Sequence, residues 1–293
     1  MANRQLIALF MFTDDQVTPT RLEVLIDLLR AFPRGMSRDS AARLLQPEPL
    51  GDNTQAAKAT IRAALELELA REDADALKPT DVAKKKEPRA AILDALDQRV
   101  LSSTETEPYF ALFYAYILGL DKQAQEQRRD RNTWVTDFNR VVFRGVEQPN
   151  RFNPEKLTGL HRWFAYAGLG WYDPTERFQP NPYDRIERAL PSMFAKQKKL
   201  SSEDWMEQLA KTCPELDGGE LFLRANPGYN ADSKKCSLGL SHALIELDLN
   251  GVILLYRPGD SAGWSIEEAE PPIETASDKK GTRISFIELL IKH

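Results

Sequence analysis

TQAAKATIRAALELELAREDADALKPT, residues 54–80, and CSLGLSHALIELDLNGVILLYRPGDSAGWSI, residues 236–266, decide the fold between them. The first opens on a cap, Asn53 or Thr54, and places Ala57, Ile61, Ala64 and Leu65 on one side of a helix. After Glu66 the period changes to alternation, Leu67 and Leu69, which predicts passage from helix to strand. Glu72, Asp73 and Asp75 make a polar turn, Ala76 to Lys78 the return strand, and Pro79 ends it. The second stretch repeats this order. A helix over residues 237–249 closes at Asn250-Gly251, where both residue types tolerate positive φ. VILLY then reads as a buried strand, RPGDSAG as a tight turn and WSI as the strand returning beside it. Helix, strand, turn and strand in this order are the recognition helix and wing of a winged helix-turn-helix.

Working outward from the first stretch, Thr18 or Thr20 caps a helix with Leu22, Leu25, Ile26 and Leu29 in a stripe, stopped by Pro33 and Gly35. Ser37 caps a short second helix, SRDSAARLL, with Ala41, Leu44 and Leu45 inward. LIALFMF at residues 6–12 fits either a buried strand or a helix start. KKKEPR, residues 84–89, reads as a hinge, with Pro88 suited to the first turn of the next helix. AAILDALDQRVL, PYFALFYAYILGL, NTWVTDFNRVVF and PEKLTGLHRWFAYAGLGW follow, each with a helical apolar face. Further helices are expected at 182–190 and 202–212, a loop at PPIETASDKK, and a strand or short helix at ISFIELLI. The expected architecture is mostly α (α+β): two winged helix-turn-helix modules flanking a helical middle. Module one occupies residues 1–83, the middle 84–172 and module two 173–293. An offset of 180 positions aligns Glu66-Leu67-Glu68-Leu69 with Glu246-Leu247-Asp248-Leu249, a match short enough to arise by chance.

The bulk chemistry narrows the function. The 293 residues are 42% hydrophobic and 28% charged, with net charge −5, which argues against a general nucleic-acid coat while leaving room for a local basic face. Two cysteines, Cys213 and Cys236, make no disulfide framework. No leader or membrane-spanning stretch is legible, so a soluble cytoplasmic protein with no membrane partner is expected. Gly239-Leu240-Ser241 is half of a nucleophile elbow and lacks the second glycine. GDSAG at residues 259–263 has no Lys-Ser/Thr after it and makes no phosphate loop. Cys213, Cys236 and His242 are the soft ligands nearest one another, without the paired spacing of a structural metal site. Trp163, Phe164, Tyr166, Trp171 and Tyr172 fall at helical intervals and read as core. The expectation is a non-enzyme with no catalytic residues, metal or cofactor.

A groove-reading helix needs polar and basic groups near its start. In module one these are Thr54, Gln55, Lys58 and Arg62; in module two, Lys234, Lys235, Ser237, Ser241 and His242, with Arg257 opening the wing. Gln can read adenine and Arg guanine, whereas Lys and Ser suit phosphates. The competing reading is an ordinary solvated helix face. Module two is the more DNA-like of the two, because module one has an acidic wing that phosphates would repel. Arg128, Arg129, Arg131, Arg140 and Arg144, with Trp134 among them, form a second basic set. It is either a nucleic-acid clamp or plain surface charge.

GMSRDSAARLLQP, AAKATIRAALELELAREDADALKPT, RWFAYAGLGW and SLGLSHALIELDLNGVILLYRPGDSAGWSI together resemble the DpdG family over most of the chain. That family is encoded in bacterial gene clusters that place 7-deazaguanine derivatives in DNA and restrict foreign DNA. The resemblance implies anti-phage defence, double-stranded DNA, and partner proteins of ATPase, helicase or nuclease type; it carries over no catalytic residues. The expected function is a DNA-engaging or scaffolding subunit of such a complex. A transcriptional regulator and a pure protein-docking adaptor without DNA contact stand as alternatives.

Overall fold

The computed structural model describes residue 12 and residues 16–47, 54–104, 107, 109–121, 130–144, 152–173, 178–257, 263–267 and 282–290. Most of these residues are helical. In chain order the helices are α1 (Pro19–Ala31), α2 (Arg38–Leu45), α3 (Gln55–Glu66), α4 (Asp81–Lys85), α5 (Pro88–Leu96, continued by a π turn, Asp97–Leu101), α6 (Phe110–Gly119), α7 (Arg131–Phe143), α8 (Pro154–Tyr166), α9 (Tyr183–Met193), α10 (Ser202–Thr212), α11 (Glu220–Ala225) and α12 (Leu238–Leu249). The strands are β1 (Ala70–Asp73), β2 (Ala76–Pro79), β3 (Gly170–Tyr172), β4 (Phe178–Pro180), β5 (Lys199–Ser201), β6 (Ile253–Tyr256), β7 (Trp264–Ile266), β8 (Thr282–Ile284) and β9 (Phe286–Leu289). The chain divides into two compact units, residues 1–110 with 152–166, and residues 111–151 with 167–293.

In the first unit the caps predicted for α1 and α2 are present, while Thr54 makes no cap bond at α3 and Asn53 lies outside the described residues. The Thr18 hydroxyl accepts from Arg21 N–H at 3.3 Å and Ser37 from Ser40 N–H at 3.1 Å. Helix α1 buries Leu22, Leu25, Ile26 and Leu29, and α3 buries Ala57, Ile61, Ala63 and Ala64. Helix α3 ends at Glu66; Glu68 then takes a left-handed φ of 53°, and Leu69 N–H returns to the Ala64 carbonyl at 2.9 Å. Strands β1 and β2 form an antiparallel hairpin whose two turn residues, Ala74 and Asp75, both have positive φ, 46° and 64°, matching a type I′ turn. Met36, just ahead of α2, pairs with Leu77, so β2 lies between Met36 and β1. The hinge expected at 84–89 is shorter than the sequence suggested: Lys84 and Lys85 finish α4, and Pro88 begins α5. An edge-to-face aromatic core, Phe12, Phe110, Trp163 and Phe164, fills this unit, and Trp163 Nε1 donates to the Val17 carbonyl at 3.0 Å. Of the stretch LIALFMF only Phe12 falls within the described residues.

The second unit contains α9, β5, α10, α11, α12 and the later strands. Ser201 caps α10, its hydroxyl accepting from Asp204 N–H at 3.1 Å. The β6–β7 hairpin expected from VILLY and WSI does not form. Strand β6 pairs with β9, β5 pairs with the other side of β9, and β7 pairs with β8. The cause lies near the C-terminus, where β8 and β9 form one extended run broken at Ser285. Its two halves take different partners, while Ser285 N–H donates to the Tyr256 carbonyl at 3.0 Å. Within ISFIELLI, Ile284 thus ends β8 in a two-stranded sheet, and Phe286–Leu289 form the central strand of a three-stranded one. Helix α12 ends at Leu249, Gly251 turns left-handed at φ 69°, and β6 starts at Ile253. The same intervals separate Glu66, Glu68 and Ala70. The structural match between the two segments is thus offset by 183 positions, and the letter match at 180 is out of register.

Candidate nucleic-acid interface

Helix α12 is buried over most of its circumference, leaving His242, Ile245, Glu246 and Leu249 on the open side. Leu238, Gly239, Leu240, Ser241, Ala243, Leu244 and Leu247 are all buried. At Gly239 a methyl group would come within 2.5 Å of Leu118 and 2.9 Å of the Pro180 carbonyl, so the first turn is covered by other chain. Its N-terminus is already occupied by carboxylates. Asp217 accepts from Ser237 N–H at 2.5 Å and from the Ser237 hydroxyl at 2.8 Å. Asp121 accepts from Leu238 N–H at 2.8 Å. Burial is the main force that raises the Asp217 pKa to about 6, with Asp121 adding to it and the Ser237 hydrogen bonds opposing.

Ser237 and Ser241 were expected to face phosphates, but neither presents its hydroxyl to solvent. The Ser241 hydroxyl donates to the Ser237 carbonyl at 2.8 Å and accepts from Glu267 N–H at 3.1 Å. His242 is half-buried, and desolvation lowers its pKa against the partial opposition of Glu267 and Glu246. Each of the three candidate DNA-binding cations of this segment has an acid on it. Lys234 pairs with Glu203 at 2.7 Å, Lys235 with Glu267 at 2.5 Å and Arg257 with Asp248 at 3.1 Å. Asp248 also accepts from Leu255 N–H at 2.9 Å, so Arg257 steadies a carboxylate that occupies the outer edge of β6.

Module one presents the opposite picture. Gln55, Lys58 and Arg62 are exposed and lie at intervals of three and four along α3, which places them on one stripe. Thr54 is half-buried at the N-cap position and makes no side-chain cap bond. Among the described residues, Lys58 and Arg62 form no ion pair; nor do the exposed Arg34 and Arg43 of the turn and helix before α3. Two cations at the β1–β2 hairpin are engaged: Arg38, at the start of α2, pairs with Glu72, and Lys78 of β2 pairs with Asp73 at 2.7 Å. These contacts hold the Glu72 and Asp73 carboxyls below their usual range.

The second basic set is not a stacking platform. Trp134 packs on Phe113 and Tyr116 with centroids 6.2 and 6.4 Å away, and Arg140 pairs with Asp137 at 2.8 Å. Arg131 and Arg144 are exposed, while Arg128 and Arg129 lie outside the described residues. Among the described residues, no group of His, Cys, Asp or Glu is placed to hold a metal ion, and no helix is long and apolar enough to cross a membrane. Sequence reasoning missed the polar centre of the second unit, where Arg185 is 3% exposed and pairs with the fully buried Glu215 at 2.8 Å. A signal was present, since Arg185 sits in the same α9 stripe as the buried Ala189 and a charge there needs a buried partner.

The sequence model of the DpdG-like family matches residues 11–261. The chain belongs to the DpdG-like family. No curated protein and no solved structure matches it. The matched region of this DpdG-like chain includes both α3 and α12, the exposed and the buried counterpart.

Proposed function

We propose that this DpdG-like chain is a non-enzymatic, DNA-engaging subunit of a bacterial defence complex acting in the 7-deazaguanine DNA modification setting, and that it meets duplex DNA through module one. What supports a winged-helix reading of both modules is the order of their elements. In module one it is α1, a single-residue β-bridge at Met36, α2, α3, β1, β2, with β2 between Met36 and β1. In module two the order is α9, β5, α10, α12, β6, β9, with α11 inserted before α12 and the β7–β8 pair between β6 and β9, and again the last strand is central.

The observation that carries the DNA reading is the stripe of Lys58 and Arg62 on α3, exposed and without ion pairs among the described residues. A helix presented this way can enter the major groove with its polar side toward bases and phosphates. Module two, with the first turn of α12 buried and Lys234, Lys235 and Arg257 already paired, is better suited to holding structure or docking protein. This assignment reverses the sequence expectation, which favoured Lys234, Lys235 and Arg257. The test is fluorescence anisotropy of labelled duplex DNA across a salt series. The proposal expects binding that weakens linearly in log–log form, with about 0.9 of slope per phosphate contacted. The adaptor reading draws on the net charge of −5 and predicts no duplex binding at low salt, with stable co-purification of a partner protein.

A further inference from the structure

We infer that the wing of module one is an electrostatic gate on its own DNA-binding face, holding affinity down by engaging Arg38 and Lys78. The inference rests on the reading of α3 as the DNA-facing helix. A wing that follows DNA lies beside phosphates, so its charges decide whether it adds to binding or opposes it. Here Arg71, Glu72, Asp73, Ala74 and Asp75 are all exposed, and the type I′ turn projects Asp73 and Asp75 at the tip. Three carboxylates thus stand against Arg71 and Lys78 in the wing itself. Lys78 is engaged by Asp73, and Arg38, which reaches the hairpin from α2, is engaged by Glu72. Lys78 and Asp73 are close cross-strand neighbours, since the register sets Arg71 opposite Lys78 and Asp73 opposite Ala76.

Both pairs are solvent-exposed, and exposed pairs contribute little to stability. Their consequence for binding is larger. A phosphate approaching Arg38 or Lys78 must displace a carboxylate that is already in place, and it meets the like charge of Asp75 as well. Neutralising Glu72 and Asp73 without shortening them releases both cations while leaving the hairpin intact. The gate therefore predicts a gain of function, which a merely structural role for these pairs would not produce.

The experiment compares the wild-type full chain with Glu72→Gln/Asp73→Asn on one labelled duplex, by anisotropy between 50 and 200 mM salt. The expected result is tighter binding by the variant, with a salt slope steeper by about 1.8, as for two added phosphate contacts. Its advantage over wild type would then shrink roughly twelvefold over that fourfold salt range. Far-UV circular dichroism and thermal melting check that both proteins are folded alike. If wild type binds and the folded variant binds equally or more weakly, the gate is overturned while α3 remains the DNA face. If only the variant binds, the gate is supported in its strongest form, and Lys58→Ala/Arg62→Ala in that background should abolish the binding. If neither binds, both the gate and the α3 reading fail.

Discussion

Replacing Arg185 by Met should be among the most damaging single changes in the second unit. The guanidinium is 3% exposed; its Nε donates to Glu215 at 2.8 Å and its Nη2 donates to the Thr212 carbonyl at 3.0 Å. Met fills much of the same volume, so packing is largely kept and the main loss is electrostatic. The fully buried Glu215 carboxylate would face the interior without its cation, and the last turn of α10 would lose a donor. Breaking a buried pair by removing one partner costs about 3–5 kcal/mol. For a domain of this size, 1 kcal/mol shifts the melting temperature by roughly 2–4 °C, so the transition should fall by about 6–20 °C. Differential scanning calorimetry at neutral pH measures it. The double variant Arg185→Met/Glu215→Leu removes both charges and should recover most of the loss, because an apolar replacement of a buried pair is often neutral. A single variant melting within about 2 °C of wild type would refute the reasoning, as would a double variant as unstable as the single one.

Asp217 should give stability a pH signature. Its pKa is raised to about 6 by burial, so the folded state holds a proton that the unfolded chain releases from about pH 4 upward. Stability from this group is present at low pH and is lost as pH rises through 6, by roughly 3 kcal/mol in total. Asp217→Asn should flatten urea-melt stability between pH 4 and 6; an unchanged slope would show that the carboxylate does not titrate there. Gly239→Ala should destabilise by more than about 2 kcal/mol, because its methyl group meets a backbone carbonyl at 2.9 Å. Gly251→Ala meets nothing within 4 Å and should cost only the roughly 1–2 kcal/mol of a left-handed φ. Chemical denaturation of the two variants side by side would expose an error if their order were reversed.

The first stretch was legible because its structure is local. Apolar stripe, turn and hairpin all fall within residues 54–80, and α3 ends at Glu66, where the pattern changes. Mostly helical architecture followed from the same periodicities. The second stretch was misread in two ways. The partner of β6 is Phe286–Leu289, some thirty residues downstream, and a strand pattern does not name its partner. The turn-like RPGDSAG suggested the nearer return. Helix α12 was scored on its few polar residues, Ser237, Ser241 and His242. Leu240, Ala243, Leu244 and Leu247 form one apolar face, and Leu238, Ile245 and Leu249 put apolar residues on the other side, which is not the pattern of a groove-reading helix. The basic residues themselves were visible in the sequence; which of them were neutralised by Glu203, Glu267, Asp248 and Glu72 depended on tertiary contacts.

The central claim is that DNA meets α3 and not α12, and paired charge-removal variants test it on one duplex. Lys58→Ala/Arg62→Ala should weaken binding and reduce the salt slope by about 1.8, the share of two phosphate contacts. Lys234→Ala/Lys235→Ala, whose ammonium groups already pair with Glu203 and Glu267, should leave both affinity and slope unchanged. Loss of binding in the second variant with none in the first would contradict the account and return the DNA face to module two.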